Sequence, residues 1–158
     1  MNILIQGNWI EVSDGDDRIH SIYERHYSSR PYRLLRRHWK NWKRISPPGE
    51  HLILLTTFGD ALFVWVKEQI RHDKQEGVNC SVFRNEGDTL SSELIREADE
   101  MAWQKWPQEK RHFTYVDSKK IKSSHPGYCF LRAGWHYVID GISPYRSLKG
   151  LYLLDKLL

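Results

Sequence analysis

Residues 78–106 read VNCSVFRNEGDTLSSELIREADEMAWQKW, and the order of elements in this stretch decides the fold. Residues 78–84 combine Val78, Cys80, Val82 and Phe83, types that favour a pleated, half-buried surface, and predict a strong strand. Gly87 follows in a polar loop. Residues 90–106 then predict the clearest helix in the chain. Leu94, Ile95, Ala98, Met101 and Ala102 recur at spacings of three and four on one stripe, and Pro107 follows its end. Residues 111–117 (RHFTYVD) predict another strand, so the stretch opens a strand–helix–strand unit.

Upstream, residues 51–57 (HLILLTT) and 61–69 (ALFVWVKEQ) predict two apolar strands joined by Phe58-Gly59-Asp60, an antiparallel hairpin. Residues 71–77 are polar and predict a loop. Nearer the N-terminus, residues 9–12 predict a short strand, and 13–17 (SDGDD) a turn that caps a helix over 16–27 with Ile19, Ile22, Tyr23 and His26 on one face. Residues 32–43 predict a second helix burying Leu35, Trp39 and Trp42, ended by Pro47-Pro48-Gly49. Downstream, 126–133 predicts a short helix stopped by Gly134, and 135–139 and 150–154 predict strands. The tail 151–158 (LYLLDKLL) reads either as the last strand or as a contact between copies. The expected class is α/β with a mixed sheet flanked by helices. The expected organisation is one domain over 1–158, with a basic helical region at 18–44 and a core at 50–155.

Composition supports a folded chain. Of 158 residues 40% are hydrophobic and 13% aromatic, enough to build a core and to exclude disorder throughout. No run of 18 apolar residues occurs, which excludes an apolar membrane-spanning helix. No basic segment followed by an apolar stretch opens the chain, so a cytoplasmic location is expected. Cys80 and Cys129 lie in no zinc-ligand spacing, and no Walker loop, G-x-S-x-G or H-E-x-x-H motif is present. His125 and Cys129 stand four apart, a spacing that would bring them together on a helix.

The formal net charge of +4 hides an asymmetry. Residues 18–44 hold nine Lys/Arg and one acid, a net of +8, whereas residues 60–100 hold ten acids and five bases, a net of −5. A basic run is often only a solvated helix face. Here it is interleaved with His26, His38, Trp39 and Trp42, a mixture that neutralises phosphates and stacks on bases. Arg30, Arg33, Arg36, Arg37, Lys40 and Lys43 are therefore candidate nucleic-acid contacts, with DNA or a nucleotide as the expected partner.

The element order resembles the GNAT N-acetyltransferase fold over roughly residues 9–154. Two stretches carry the resemblance: Cys80-Ser81-Val82-Phe83-Arg84-Asn85-Glu86-Gly87 followed by Leu90-Ser91-Ser92-Glu93-Leu94-Ile95, and Pro126-Gly127-Tyr128-Cys129-Phe130-Leu131-Arg132-Ala133-Gly134-Trp135. The whole is similar to GNAT-like proteins of bacteriophages and prophages. His26-Tyr27-Ser28 is similar to a short stretch of the phage DNA-modifying, acyltransferase-like protein Mom. The resemblance implies acetyl-coenzyme A or another acyl-coenzyme A as cofactor, held by Arg84, Gly87, Thr89, Ser91 and Ser92. A helix N-terminus is a ready anion site, and Gly87 permits close backbone approach. The bland alternative is that Thr89 or Ser91 simply caps the helix.

The chain departs from the family pattern in two places. Asp88-Thr89 replaces the loop's second small residue, and Phe130 stands where many members carry the tyrosine that protonates the leaving thiolate. Tyr128 is two residues away, which on a helix places it about 200° around the axis from Phe130. Tyr27 and Tyr128 are the candidate acids, with water as the alternative. Glu86, at the expected divergence of the central strands, ranks first as base, ahead of His112, His125 and Asp117. The expected function is an acyl-coenzyme A-dependent transferase acting on DNA or a nucleotide. The alternatives are a scaffold of the same fold that has lost the chemistry and serves as a nucleic-acid-binding or anti-defence interaction protein, and a transferase for a small molecule.

Overall fold

A computed structural model describes residues 5–26, 45–120 and 125–158. The second expected helix, at 32–43, lies outside them. The described elements are β1 (Ile5–Gln6), β2 (Trp9–Val12), α1 (Asp17–Arg25), β3 (Glu50–Thr56), β4 (Ala61–Lys67), β5 (Val78–Asn85), α2 (Ser91–Lys105), β6 (Arg111–Val116), a single 3-10 turn (Ser118–Lys120), α3 (Tyr128–Arg132), β7 (His136–Tyr137), β8 (Ile139–Asp140), β9 (Ser143–Pro144) and β10 (Tyr152–Leu157). Eight strands form one sheet in the order β1-β2-β3-β4-β5-β6-β10-β7, and β8–β9 form a separate two-stranded ribbon. The pair β5–β6, which flanks α2, is parallel, and the other neighbours in the large sheet are antiparallel. The sheet is mixed, as expected.

The apolar runs explain its centre. A strand covered on one face alternates, but β3 and β4 are covered on both and carry unbroken apolar runs over residues 52–55 and 61–66. Leu52, Leu54, Phe63 and Trp65 face one side, with Trp9, Val78, Phe130 and Trp135 and the α2 stripe of Leu94, Ile95, Ala98 and Ala102. Ile53, Leu55, Leu62, Val64 and Val82 face the other, beneath Ile19, Ile22 and Tyr23 of α1. Each fully buried side chain of this kind contributes about 1.5–3 kcal/mol. The first helix starts where a cap allows it. The Asp16 carboxylate accepts the Arg18 amide at 2.9 Å. The β3–β4 turn is closed by Thr56, whose hydroxyl donates to Asp60 Oδ1 at 2.6 Å and accepts its amide at 3.0 Å.

Several boundaries differ from the sequence reading. The helix expected at 126–133 begins at Tyr128, because Gly127 holds a left-handed backbone (φ 75°) at its N-cap. The strand expected at 135–139 stops at Tyr137, and Ile139–Asp140 leaves the sheet to pair with Ser143–Pro144. The strand expected at 150–154 runs instead from Tyr152 to Leu157 between β6 and β7. The apolar tail is thus the last strand, pairing over its length with β6. The two-residue strands β1, β8 and β9 were not expected from periodicity.

Gly77 sets the entry into β5. Its φ is +114°, and a Cβ there would lie 2.3 Å from the Arg111 carbonyl oxygen at the start of β6. Backbone atoms cannot yield as a flexible side chain can. Gly77→Ala is therefore expected to lose at least about 1–3 kcal/mol from backbone strain. Urea unfolding checks this, and an unchanged midpoint would show that the close approach does not constrain the chain.

Candidate functional site

The parallel pair β5–β6 is joined only at Val78↔His112, Asn79↔Phe113 and Cys80↔Thr114, although both strands continue. At the same level the β4–β5 register shifts: Trp65 pairs with Cys80 but Val64 pairs with Val82, so Ser81 is an extra residue in β5. Such a bulge bends its strand and raises its twist. Past it, β5 follows β4 and no longer pairs with β6. The last joined pair is fastened by the Thr114 hydroxyl, which donates to the Cys80 carbonyl at 2.9 Å. From Val82 to Arg84 the β5 edge toward β6 carries no strand among the described residues. The divergence is lined on one side by rings. Phe130 packs edge-on against Phe83 (centroids 5.9 Å apart) and against Trp135 (4.8 Å).

The loop from β5 to α2 closes on itself. Asn85 accepts the Gly87 amide at 3.0 Å and donates its amide to the Thr89 carbonyl at 2.7 Å and to Ser91 Oγ at 3.0 Å. The Glu86 amide donates to the Asp60 carbonyl at 2.7 Å. Leu90 is the N-cap of α2 and makes no side-chain cap bond, so neither Thr89 nor Ser91 caps the helix. The Glu93 and Leu94 amides donate to the Leu90 carbonyl, leaving those of Ser91 and Ser92 without an acceptor among the described residues. Gly87 matters for a reason the sequence did not suggest. A Cβ there would meet the Asp60 carboxylate, 2.2 Å from Oδ2, so the glycine makes room for an acidic side chain.

Glu86 is held from two sides. Arg25, the last residue of α1, donates Nε to Glu86 Oε2 at 2.6 Å and Nη2 to Oε1 at 2.5 Å. Arg84 donates Nε to Oε2 at 2.6 Å. These guanidiniums, Arg25 first, lower the Glu86 pKa to about 2. A carboxylate stabilised in this way is a weak proton acceptor, so the expectation that Glu86 serves as base runs against its geometry. His26 is buried beside Arg84. Burial first, and then the arginine's charge, bring its pKa down to about 4.

The remaining candidates are scattered. Tyr128 is exposed, its ring centroid 6.4 Å from that of His125. Phe130 is 6% exposed and belongs to the core. His125 lies before α3, off the helix that carries Cys129, and burial raises the Cys129 pKa to about 11. Both observations disfavour a reactive His125–Cys129 pair. Tyr27, Arg30, Arg33, Arg36, Arg37, Lys40 and Lys43 lie outside the described residues. The chain enters that segment at His26, beside Arg84. It returns at Ile45 and Ser46, whose amides donate to Asp14 at 2.7 and 3.4 Å.

Sequence reasoning missed two features. One is Arg25 as the partner of Glu86, since the charge block flagged its sign but not its target. The other is Asp99, fully buried on α2, which accepts from His112 Nδ1 at 2.8 Å, Trp135 Nε1 at 3.0 Å and Lys156 Nζ at 3.3 Å. The His112 ring is stacked on Trp103 and tilted against Trp65. His112, a lower-ranked candidate base, is thus buried in the core and bonded to Asp99. Among the described residues no group of three His, Cys, Asp or Glu is arranged to hold a metal ion, and no helix is long and apolar enough to cross a membrane. No protein-family model matches the chain, and no curated protein matches it significantly.

Proposed function

We propose that the protein is a GNAT-like, acyl-coenzyme A-dependent transferase whose acceptor is DNA or a nucleotide. The observation that carries this reading is the divergence of two parallel strands at a bulge, with a strand–loop–helix at its mouth. A pantetheine chain entering that divergence would meet a β5 edge over Val82–Arg84 that is unpaired on its β6 side among the described residues, and the half-buried Phe83 ring backed by the core residue Phe130. Its phosphates would approach the free amides of Ser91 and Ser92. The acceptor would come from the side where α1 ends and the basic segment begins, bringing its phosphates to Arg30, Arg33, Arg36, Arg37, Lys40 and Lys43. With Glu86 held by two arginines, proton transfer falls to Tyr27, Tyr128 or water.

A second reading, a binding scaffold without the chemistry, is favoured by one cluster of observations. Asp60, Glu86 and Asp88 surround the loop with carboxylates, and the position expected for a tyrosine acid is the buried Phe130.

Thermal unfolding with coenzyme A and acetyl-coenzyme A separates the two readings. Ligand at a hundred times its Kd is expected to stabilise the fold by about 2.7 kcal/mol, a rise in Tm of roughly 5–10 °C. Transfer of the acyl group to an oligonucleotide then appears as a mass increase of its digested nucleosides. No shift at millimolar cofactor would overturn the transferase reading in favour of the scaffold.

A further inference from the structure

We propose that Arg25 and Arg84 form a phosphate-binding pair that Glu86 occupies as an internal anion, and that a ligand phosphate enters by displacing it. The inference deepens the reading above, because Arg84 belongs to the proposed cofactor loop. Its basis is the arrangement itself. Two guanidiniums from α1 and β5, 59 positions apart, converge on a single carboxylate and engage both of its oxygens at 2.5–2.6 Å. Planar, forked donors aimed at two oxygens recognise carboxylate and phosphate alike.

The cluster is accessible. The Arg25 side chain is 48% exposed, that of Arg84 35% and that of Glu86 24%. At this exposure solvent screens the ion pair, so an incoming anion can compete with Glu86 for the two arginines. The seven Lys and Arg between residues 27 and 44 are joined by no acid, a charge excess that draws anions to the protein. The Asp60 carboxylate, against Gly87, adds one negative charge near the loop. A pyrophosphate, or two successive backbone phosphates, would offer each arginine its own pair of charged oxygens, whereas one carboxylate shares two oxygens between both.

The test is calorimetric titration of inorganic pyrophosphate into the full chain and its variants. Glu86→Gln keeps the shape and removes the charge. It is expected to bind pyrophosphate about tenfold more tightly than the wild type. The gain should vanish in both Arg25→Ala/Glu86→Gln and Arg84→Ala/Glu86→Gln. A Glu86→Gln variant that binds no more tightly, or a gain that survives the loss of either arginine, would overturn the proposal. Should Glu86→Gln not fold, the arginine Nε–H resonances of the wild type carry the same test. Those of Arg25 and Arg84 should move together on addition of pyrophosphate, and resonances that stay in place would refute the displacement.

Competition then distinguishes the source of the phosphate. Release of pyrophosphate by coenzyme A assigns the pair to the cofactor, and release by a short single-stranded DNA assigns it to a nucleic-acid backbone. A pyrophosphate gain that persists while coenzyme A fails to stabilise the wild type would overturn the transferase and leave the phosphate pair standing.

Discussion

Replacing Asp99 with alanine is expected to destabilise the protein by about 3–5 kcal/mol, the largest loss from any single charged side chain among the described residues. The carboxyl group has no solvent exposure and accepts three hydrogen bonds, from His112, Trp135 and Lys156. Alanine would leave the His112 Nδ1–H and the Trp135 indole N–H buried without an acceptor, and each orphaned donor costs about 1–3 kcal/mol. It would also remove the partner of the half-buried Lys156, whose remaining bond is to the Ala133 carbonyl at 2.9 Å. Asn is not a safe substitute, because its amide would turn a donor toward one of the three donors. The expected fall in Tm for the alanine variant is on the order of 10 °C.

A double substitution tests whether the loss comes from stranded partners rather than from a missing attraction. Asp99→Leu alone should cost nearly as much as the alanine change. Asp99→Leu combined with His112→Phe should recover part of it, since an apolar pair strands one donor fewer. Urea unfolding of the three variants decides the matter. A loss below about 1 kcal/mol for Asp99→Ala would mean that water reaches these donors and that the network does not tie α2 to β6 and β10.

The same network marks where the sequence stops being legible. The hairpin of β3 and β4 could be read because both faces are covered, so apolar residues run unbroken over residues 52–55 and 61–66. The long helix α2 could be read because five apolar residues repeat at its period. Asp99 is adjacent to that stripe, inside a stretch with a net charge of −5, and looks like one more solvated acid. Its partners come from β6, from Trp135 before β7, and from β10, which places Lys156 opposite His112 in the register. No local pattern carries that information. Gly87 shows the same limit at the candidate site. A glycine between a strand and a helix is legible as a close approach, but the approaching group is the Asp60 carboxylate from the β3–β4 turn. Glu86 was legible as a residue at the mouth of diverging strands. Its capture by Arg25 depends on where α1 lies on the opposite face of the sheet, and that is set by tertiary packing of Ile19, Ile22 and Tyr23.

Stability is expected to fall by about 3 kcal/mol as pH drops from 6.5 to 4, and His26 is the cause. The side chain is 7% exposed at the end of α1, and burial together with the Arg84 charge lowers its pKa from 6.5 to about 4. The direction follows from proton counting. Between these two values the unfolded chain holds a proton on this imidazole and the folded chain does not, so acid favours unfolding with a slope approaching about 1.4 kcal/mol per pH unit. The stabilisation is complete above pH 6.5 and is lost as pH falls through the folded value. The carboxylates act in a lower window. Glu86 and Asp16 are both brought down to about 2 by their arginine partners, and their contribution disappears only as pH falls below their ordinary values of 4.5 and 3.8. The upper part of the profile, between pH 6.5 and 4.5, therefore reports the histidine. Urea midpoints for the wild type and His26→Phe across this range provide the check. The variant should lose most of the slope above pH 4.5 and keep the acid limb below it. A slope unchanged by the substitution would assign the titration to another group. Because His26 is the last described residue before the basic segment and lies against Arg84, its protonation would also add a cation beside the Glu86 clamp.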